Sequence, residues 1–207
     1  RRIVQIHELR EQAAPPVLIM EYVDGFELGR LAPSLEAGQR ARIVKEVCEA
    51  VQHAHDVGVQ HRDLKPSNIM LDAELRPKIL DFGLSSGDPA RGHFRGTPHY
   101  LAPEQLDASQ PIDARTDVYA LGALLFHLLT GRPPFVSETL PDTLRQVLDD
   151  EPVSPRLLNP AVPVDLETIC LKCLEKDPRR RYRSASEFAA ELGRFLRGES
   201  ILARPIG

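Results

Sequence analysis

The chain has 207 residues, 42% of them hydrophobic and 27% charged, with a formal net charge of −4. That balance is ordinary for a soluble globular protein, and the length is ample for a hydrophobic core. The mild negative charge gives no electrostatic reason to expect nucleic acid or an anionic membrane as a partner. The longest apolar run, 118–129, contains His127 and is too short to span a bilayer. Three cysteines make no disulfide framework, so a reducing, cytoplasmic setting is expected. No signal peptide opens the chain, and it starts with Arg1 rather than Met. It therefore reads as a fragment whose parent could carry a membrane anchor outside this chain.

Residues 3–9 and 17–23 are rich in β-branched and apolar residues and flank a polar stretch with Pro15 and Pro16, which reads as two strands and a loop. Asp24 and Gly25 then break the pattern. A short helix is expected over 27–31 and a longer one over 36–56, where Ile43, Val44, Val47, Cys48, Val51 and Ala54 recur at helical spacing. Gly58 is a plausible stop. Short extended segments are expected at 69–71 and 78–80, and a Gly/Ser/Pro-rich loop over 84–98. The stretch 116–129 is helical in pattern and apolar almost all round, so it should be deeply buried. Further helices are expected over 139–149, 164–176 and 184–196, the last opening on a Ser184-x-x-Glu187 capping box. Cys170 and Cys173 form a C-x-x-C, but no second pair exists and they share a helix pattern with Ile169 and Leu174, so they read as buried core.

The chain is organised around 61–70, which reads H-R-D-L-K-P-S-N-I-M, with Asp81-Phe82-Gly83 following and Ala102-Pro103-Glu104 after that. Asp63, Lys65, Asn68 and Asp81 supply two carboxylates, an ammonium and an amide oxygen. Such a set can accept a hydroxyl proton, neutralise a moving phosphoryl group and hold magnesium, which is the work of phosphoryl transfer. The oxygen donors suit a hard cation that shares phosphate oxygens. Three ordered motifs of this kind match a protein-kinase catalytic loop, magnesium loop and activation-segment end. The chain resembles the hinge and C-terminal lobe of a serine/threonine protein kinase. The wording of 96–105 (G-T-P-H-Y-L-A-P-E-Q) and of the tail after Phe195 is most similar to bacterial kinases of the eukaryotic type.

The resemblance implies an α+β, protein-kinase-like fold with a mainly helical C-terminal lobe. It implies that 1–23 are the last strands of the N-terminal lobe with the hinge, 24–198 the catalytic lobe, and 199–207 the start of a C-terminal extension. It further implies transfer of the ATP γ-phosphoryl group to Ser/Thr hydroxyls of a protein, with Mg2+, or alternatively Mn2+, as the metal. In that scheme Asp63 is the base, Lys65 reaches the phosphate, and Asn68 and Asp81 are the metal ligands, with Ser67 beside them at the nucleotide. Phe82 packs beneath and sets active or inactive geometry. Met20 would be the gatekeeper, the backbone of Glu21 to Val23 would meet the adenine edge, Glu27 the ribose hydroxyls and Met70 the adenine ring. Thr97 would bond Asp63 and Lys65, Glu104 would pair with Arg181, and Asp117 would anchor the catalytic-loop backbone. A buried charge of that kind must be paired or hydrogen-bonded.

Two departures from the family stand out. Arg62 is the arginine that activation-loop phosphate often neutralises, yet 87–96 contain no Ser, Thr or Tyr. Ser85, Ser86 and Thr97 are the serine and threonine residues between the second and third motifs, so activation without the usual phosphate is expected, with Asp88 as a stand-in charge. Also, no G-x-G-x-x-G precedes the hinge, and the chain alone is expected to be poorly active. A non-catalytic pseudokinase module is the main alternative, and a kinase-like small-molecule phosphotransferase a third. Every catalytic residue within the span is intact, which favours the enzyme.

Overall fold

The two apolar runs near the start pair as an antiparallel hairpin, β1 (Ile6–Arg10) with β2 (Val17–Met20), in the register Leu9↔Leu18 and Arg10↔Val17. The computed structural model describes residues 2–10, 12, 15, 17–82, 98–107 and 109–204. β1 starts at Ile6 rather than residue 3, because Ile3 leaves the hairpin to form a parallel bridge with Ile79. β2 stops at Met20, where the chain passes into an irregular segment up to Gly25.

A second sheet has the order β3 (Phe26–Glu27), β4 (Ile69–Leu71), β5 (Pro77–Ile79), all antiparallel. β4 and β5 fall on the expected extended segments. β3 escapes sequence reading because two residues are too few to show alternation. Its pairing of Phe26 with Leu71 and Glu27 with Met70 draws the segment after β2 onto the hairpin that carries the end of the central motif.

The remainder is helical: α1 (Leu28–Leu31), α2 (Ala37–His55), α3 (Ala114–Thr130), α4 (Leu140–Asp149), α5 (Pro155–Leu158), α6 (Val164–Cys173) and α7 (Ala185–Leu196). The apolar stripe of α2 is fully buried at Ile43, Val44, Val47, Cys48 and Val51, where α2 packs on α3 and α7. Each such side chain contributes roughly 1.5–3 kcal/mol by leaving water. α3 is buried on nearly every side, as its all-round apolar pattern demands, and is the axis of the core. It approaches α6 so closely that a Cβ on Gly122 would lie 2.3 Å from Cys173 Cβ, and only glycine fits there. Cys48, Cys170 and Cys173 are all buried and unpaired in disulfides, in keeping with packing roles.

At α7, Ser184 Oγ accepts the Glu187 N–H at 3.2 Å, but the Glu187 carboxylate takes the Arg183 N–H at 2.9 Å. The expected reciprocal box is thus shifted by one residue on its second half. Beyond α7 the chain turns back, and the buried Glu191 carboxylate accepts the N–H groups of Leu202 and Ala203.

Candidate active site

The central motif occupies the loop between α2 and β4, and tertiary contacts rather than local propensity fix its shape. His61 is fully buried. Its Nε2 meets the Leu80 carbonyl at 2.9 Å and its Nδ1 accepts the Asp63 N–H at 3.3 Å. Those partners set the tautomer: Nε2 carries the proton and Nδ1 is the acceptor. Burial lowers the His61 pKa, opposed by the nearby Asp117 charge and the Leu80 carbonyl. The His61 ring also packs edge-on against Phe82, with centroids 4.6 Å apart. The residue before the second motif and the ring within it are therefore both held by the first motif.

Arg62 adopts φ 64°, a left-handed conformation that costs a non-glycine residue about 1–3 kcal/mol and persists where its surroundings dictate it. Asp117, fully buried at the start of α3, supplies much of that constraint. Its Oδ1 accepts the Arg62 N–H at 2.8 Å and its Oδ2 the His61 N–H at 2.9 Å. Oδ2 also lies 2.7 Å from His55 Nε2, near the end of α2. The expected anchoring role of Asp117 is what the geometry displays, and His55 is a partner that sequence reading did not identify.

Asp63 follows directly. Lys65 Nζ lies 2.8 Å from Asp63 Oδ2, and Asn68 Nδ2 donates to the Asp63 carbonyl at 2.8 Å. Asn68 itself is buried in the 3-10 turn Pro66–Asn68. Its carbonyl accepts the Leu80 N–H at 2.8 Å, which brings the strand leading to Asp81 alongside. Because the Asn68 amide nitrogen faces Asp63, its Oδ1 is left as the acceptor end. Asp81 is exposed and also left-handed, at φ 58°. An amide oxygen and an exposed carboxylate on adjoining segments fit a hard divalent cation whose other ligands come from water and phosphate. No protein-only cage of three or more His, Cys, Asp or Glu exists among the described residues. Ser67 is exposed in the same turn.

The residues expected on the nucleotide side are only partly gathered. Met20 lines a small cavity of about 150 Å³ together with Ile3, Val4, Ile6, Leu18, Asp81 and Phe82, so the expected gatekeeper does border the second motif. Glu27 and Met70 are cross-strand neighbours. The Glu21 N–H donates to the Gln5 carbonyl at 2.8 Å. The Glu21 side chain is paired with Lys78 on β5, and this hydrogen bond lowers its pKa. Val23 is half-buried in the irregular segment that follows. Gly25 lets that segment press onto β4: a Cβ there would sit 2.1 Å from the Leu71 carbonyl oxygen. Thr97, Ser85, Ser86 and Asp88 lie outside the described residues.

On the far side, Glu104 and Arg181 form a buried bidentate pair, at 2.7 Å and 2.9 Å. Thr116 Oγ1 donates to Glu104 at 2.9 Å, and Arg181 also donates to the carbonyls of Arg115, Glu175 and Lys176. Such additional hydrogen bonds are what make a buried ion pair tolerable. Gln105, beside Glu104, donates from Nε2 to the Arg62 carbonyl at 3.1 Å. That contact too is invisible to sequence patterning.

Fold and site together define the catalytic lobe of a protein kinase: a helical body on a buried α3, with Asp63, Lys65, Asn68 and Asp81 on two adjoining loops. The chain belongs to the protein kinase family, for the model described as protein kinase domain matches residues 1–191. It is 36% identical over 202 residues to the serine/threonine-protein kinase PknB of Mycobacterium leprae, covering 93% of this chain and 32% of that protein. To PknB of Mycobacterium tuberculosis it is 34% identical over 211 residues, with 95% and 34% covered. To a probable serine/threonine-protein kinase of Streptomyces coelicolor it is 36% identical over 196 residues, with 90% and 29% covered. The chain thus spans about a third of the length of these curated relatives. No helix among the described residues is long and apolar enough to cross a membrane.

Proposed function

We propose that the protein to which this chain belongs is a serine/threonine protein kinase that transfers the γ-phosphoryl group of ATP to protein hydroxyls. The observation that carries this reading is the grouping of Asp63, Lys65 and Asn68 within hydrogen-bond distance on one loop, with Asn68 bonded to the strand that delivers Asp81. Asp63 orients the acceptor hydroxyl and takes its proton. Lys65 meets the transferring phosphate as a point charge. Asn68 Oδ1 and Asp81 hold magnesium, which when bound neutralises phosphate charge, and Ser67 flanks the phosphates. Met20 closes the back of the adenine site, the Glu21 carbonyl and Val23 N–H meet its edge, Met70 its face, and Glu27 the ribose. Thr97 is assigned to the acceptor hydroxyl with Asp63 and Lys65 by the family resemblance alone.

The kinase names of the relatives and the intact catalytic set favour an enzyme over a non-catalytic module. The substrate is a cytoplasmic protein with Ser or Thr acceptors. The test is phosphate transfer from magnesium ATP by the parent chain to peptides that carry Ser, Thr or Tyr as their one hydroxyl. Phosphate on the Ser and Thr peptides is expected. Transfer confined to Tyr, or ATP binding with no transfer, would overturn the assignment.

A further inference from the structure

Among the residues around the catalytic loop, Gln105 has no part in the scheme above, yet it touches the peptide that immediately precedes the base. We propose that Gln105 is a positioning residue for phosphoryl transfer, a clamp that fixes the Arg62–Asp63 peptide by bonding the Arg62 carbonyl to the 102–105 turn. The proposal rests on the reading of Asp63 as catalytic base.

Arg62 is the strained point of the loop, at φ 64°. Its N–H is held from one side by Asp117 at 2.8 Å, and its carbonyl from the other by Gln105 Nε2 at 3.1 Å. The guanidinium is turned aside, with Nε on Gln60 Oε1 at 3.1 Å. A left-handed residue gripped at both its main-chain polar groups cannot relax without losing one of them. Asp63 takes its direction from the same peptide plane.

The other end of Gln105 is equally defined. Its Oε1 accepts the Ala102 N–H at 2.9 Å, and its own N–H donates to the Ala102 carbonyl at 2.9 Å. One amide oxygen faces a backbone donor and the amide nitrogen faces a backbone acceptor, so the amide orientation is forced by its partners. The turn is immobilised one residue earlier by the buried Glu104–Arg181 pair. A fixed point in the core is therefore connected through one side-chain amide to the peptide ahead of the base. Glutamine is the residue type that supplies donor and acceptor at this length: aspartate and glutamate lack the donor, and asparagine is a methylene short.

The competing role is that Gln105 only caps its own turn. Gln105→Glu separates the two, because it keeps an acceptor for Ala102 N–H while setting a carboxylate oxygen against the Arg62 carbonyl. The experiment compares wild type, Gln105→Glu, Gln105→Ala and Asp63→Asn in the parent chain. Steady-state transfer to a Ser peptide, thermal unfolding, and amide hydrogen exchange over 60–64 are measured. For Gln105→Glu the expected result is kcat lowered by about ten- to a hundredfold, the scale of a small misplacement of a catalytic group, with KM for ATP nearly unchanged. Exchange over 60–64 should quicken while the melting temperature stays close to wild type. Wild-type kcat and exchange in Gln105→Glu would overturn the proposal, as would a kcat loss that merely follows lost folded protein. If wild type transferred nothing, or Asp63→Asn matched it, the kinase reading would fail separately, and unchanged exchange over 60–64 would still refute the clamp.

Discussion

Asp117 holds the Arg62 N–H at 2.8 Å while Arg62 sits at φ 64°, so a carboxylate on the most buried helix keeps the residue before Asp63 in a conformation it would not choose. Asp117→Asn keeps the shape but replaces one acceptor with a donor, leaving a main-chain N–H facing an NH2 group. An unsatisfied buried donor costs about 1–3 kcal/mol. Denaturant unfolding should register that loss, and transfer activity should fall further than the loss of folded protein explains. Unchanged stability and activity would show that the anchor is dispensable.

The Glu104–Arg181 pair is fully enclosed, with side-chain exposures of 1% and 0%. Removing one partner strands the other charge, which costs about 3–5 kcal/mol. Glu104→Gln should therefore lower the urea midpoint strongly, whereas Arg179→Gln, whose partner Asp177 is at the surface, should change it little. Similar midpoints for the two variants would contradict this contrast.

His61 gives the fold a pH dependence of definite sign. Burial lowers its folded pKa, so between that value and about 6.5 the unfolded chain binds more protons than the native one. The contribution is intact above about 6.5 and is lost as the pH falls from there through the lowered folded value. Protonation would also put a second donor on Nδ1, opposite the Asp63 N–H that it now accepts. Unfolding free energies at descending pH should therefore fall more steeply in wild type than in His61→Phe. The slope left in the variant includes His127, whose pKa burial also lowers. Equal slopes would remove His61 from the account.

Gly25 is where the irregular segment after β2 meets β4 without a side chain. Gly25→Ala would drive a Cβ to 2.1 Å from the Leu71 carbonyl oxygen, so the strand pair must separate. Overpacking of this kind costs about 1–3 kcal/mol. Because β3 carries Glu27 against Met70, the KM for ATP should rise along with the loss of stability. A KM equal to wild type would place the ribose and adenine contacts elsewhere.

The long helices were legible because α2 and α7 carry apolar stripes at helical period and α3 is apolar almost all round, and the polar groups of the central loop because their spacing is carried within short motifs. The Glu104–Arg181 and Asp117 anchors were legible through the family resemblance. β3 was not, since two residues hold no pattern. His55 and Gln105 were not either, since their partners lie 62 and 43 positions away and neither residue type signals a contact by itself. The Glu187 side chain was misassigned by one residue because capping boxes leave the choice between adjacent N–H groups to local backbone direction.

The most direct measurement sets wild type, Asp63→Asn and Asp81→Asn side by side in the parent chain. Phosphate transfer and magnesium-dependent ATP binding are followed in each. Loss of a general base lowers the rate by about 10²–10⁴-fold. Asp63→Asn should show that loss with ATP binding retained, and Asp81→Asn should lose transfer together with the magnesium-dependent part of binding. Transfer at the wild-type rate by Asp63→Asn would contradict the assignment of the base, and with it the kinase mechanism drawn from this loop.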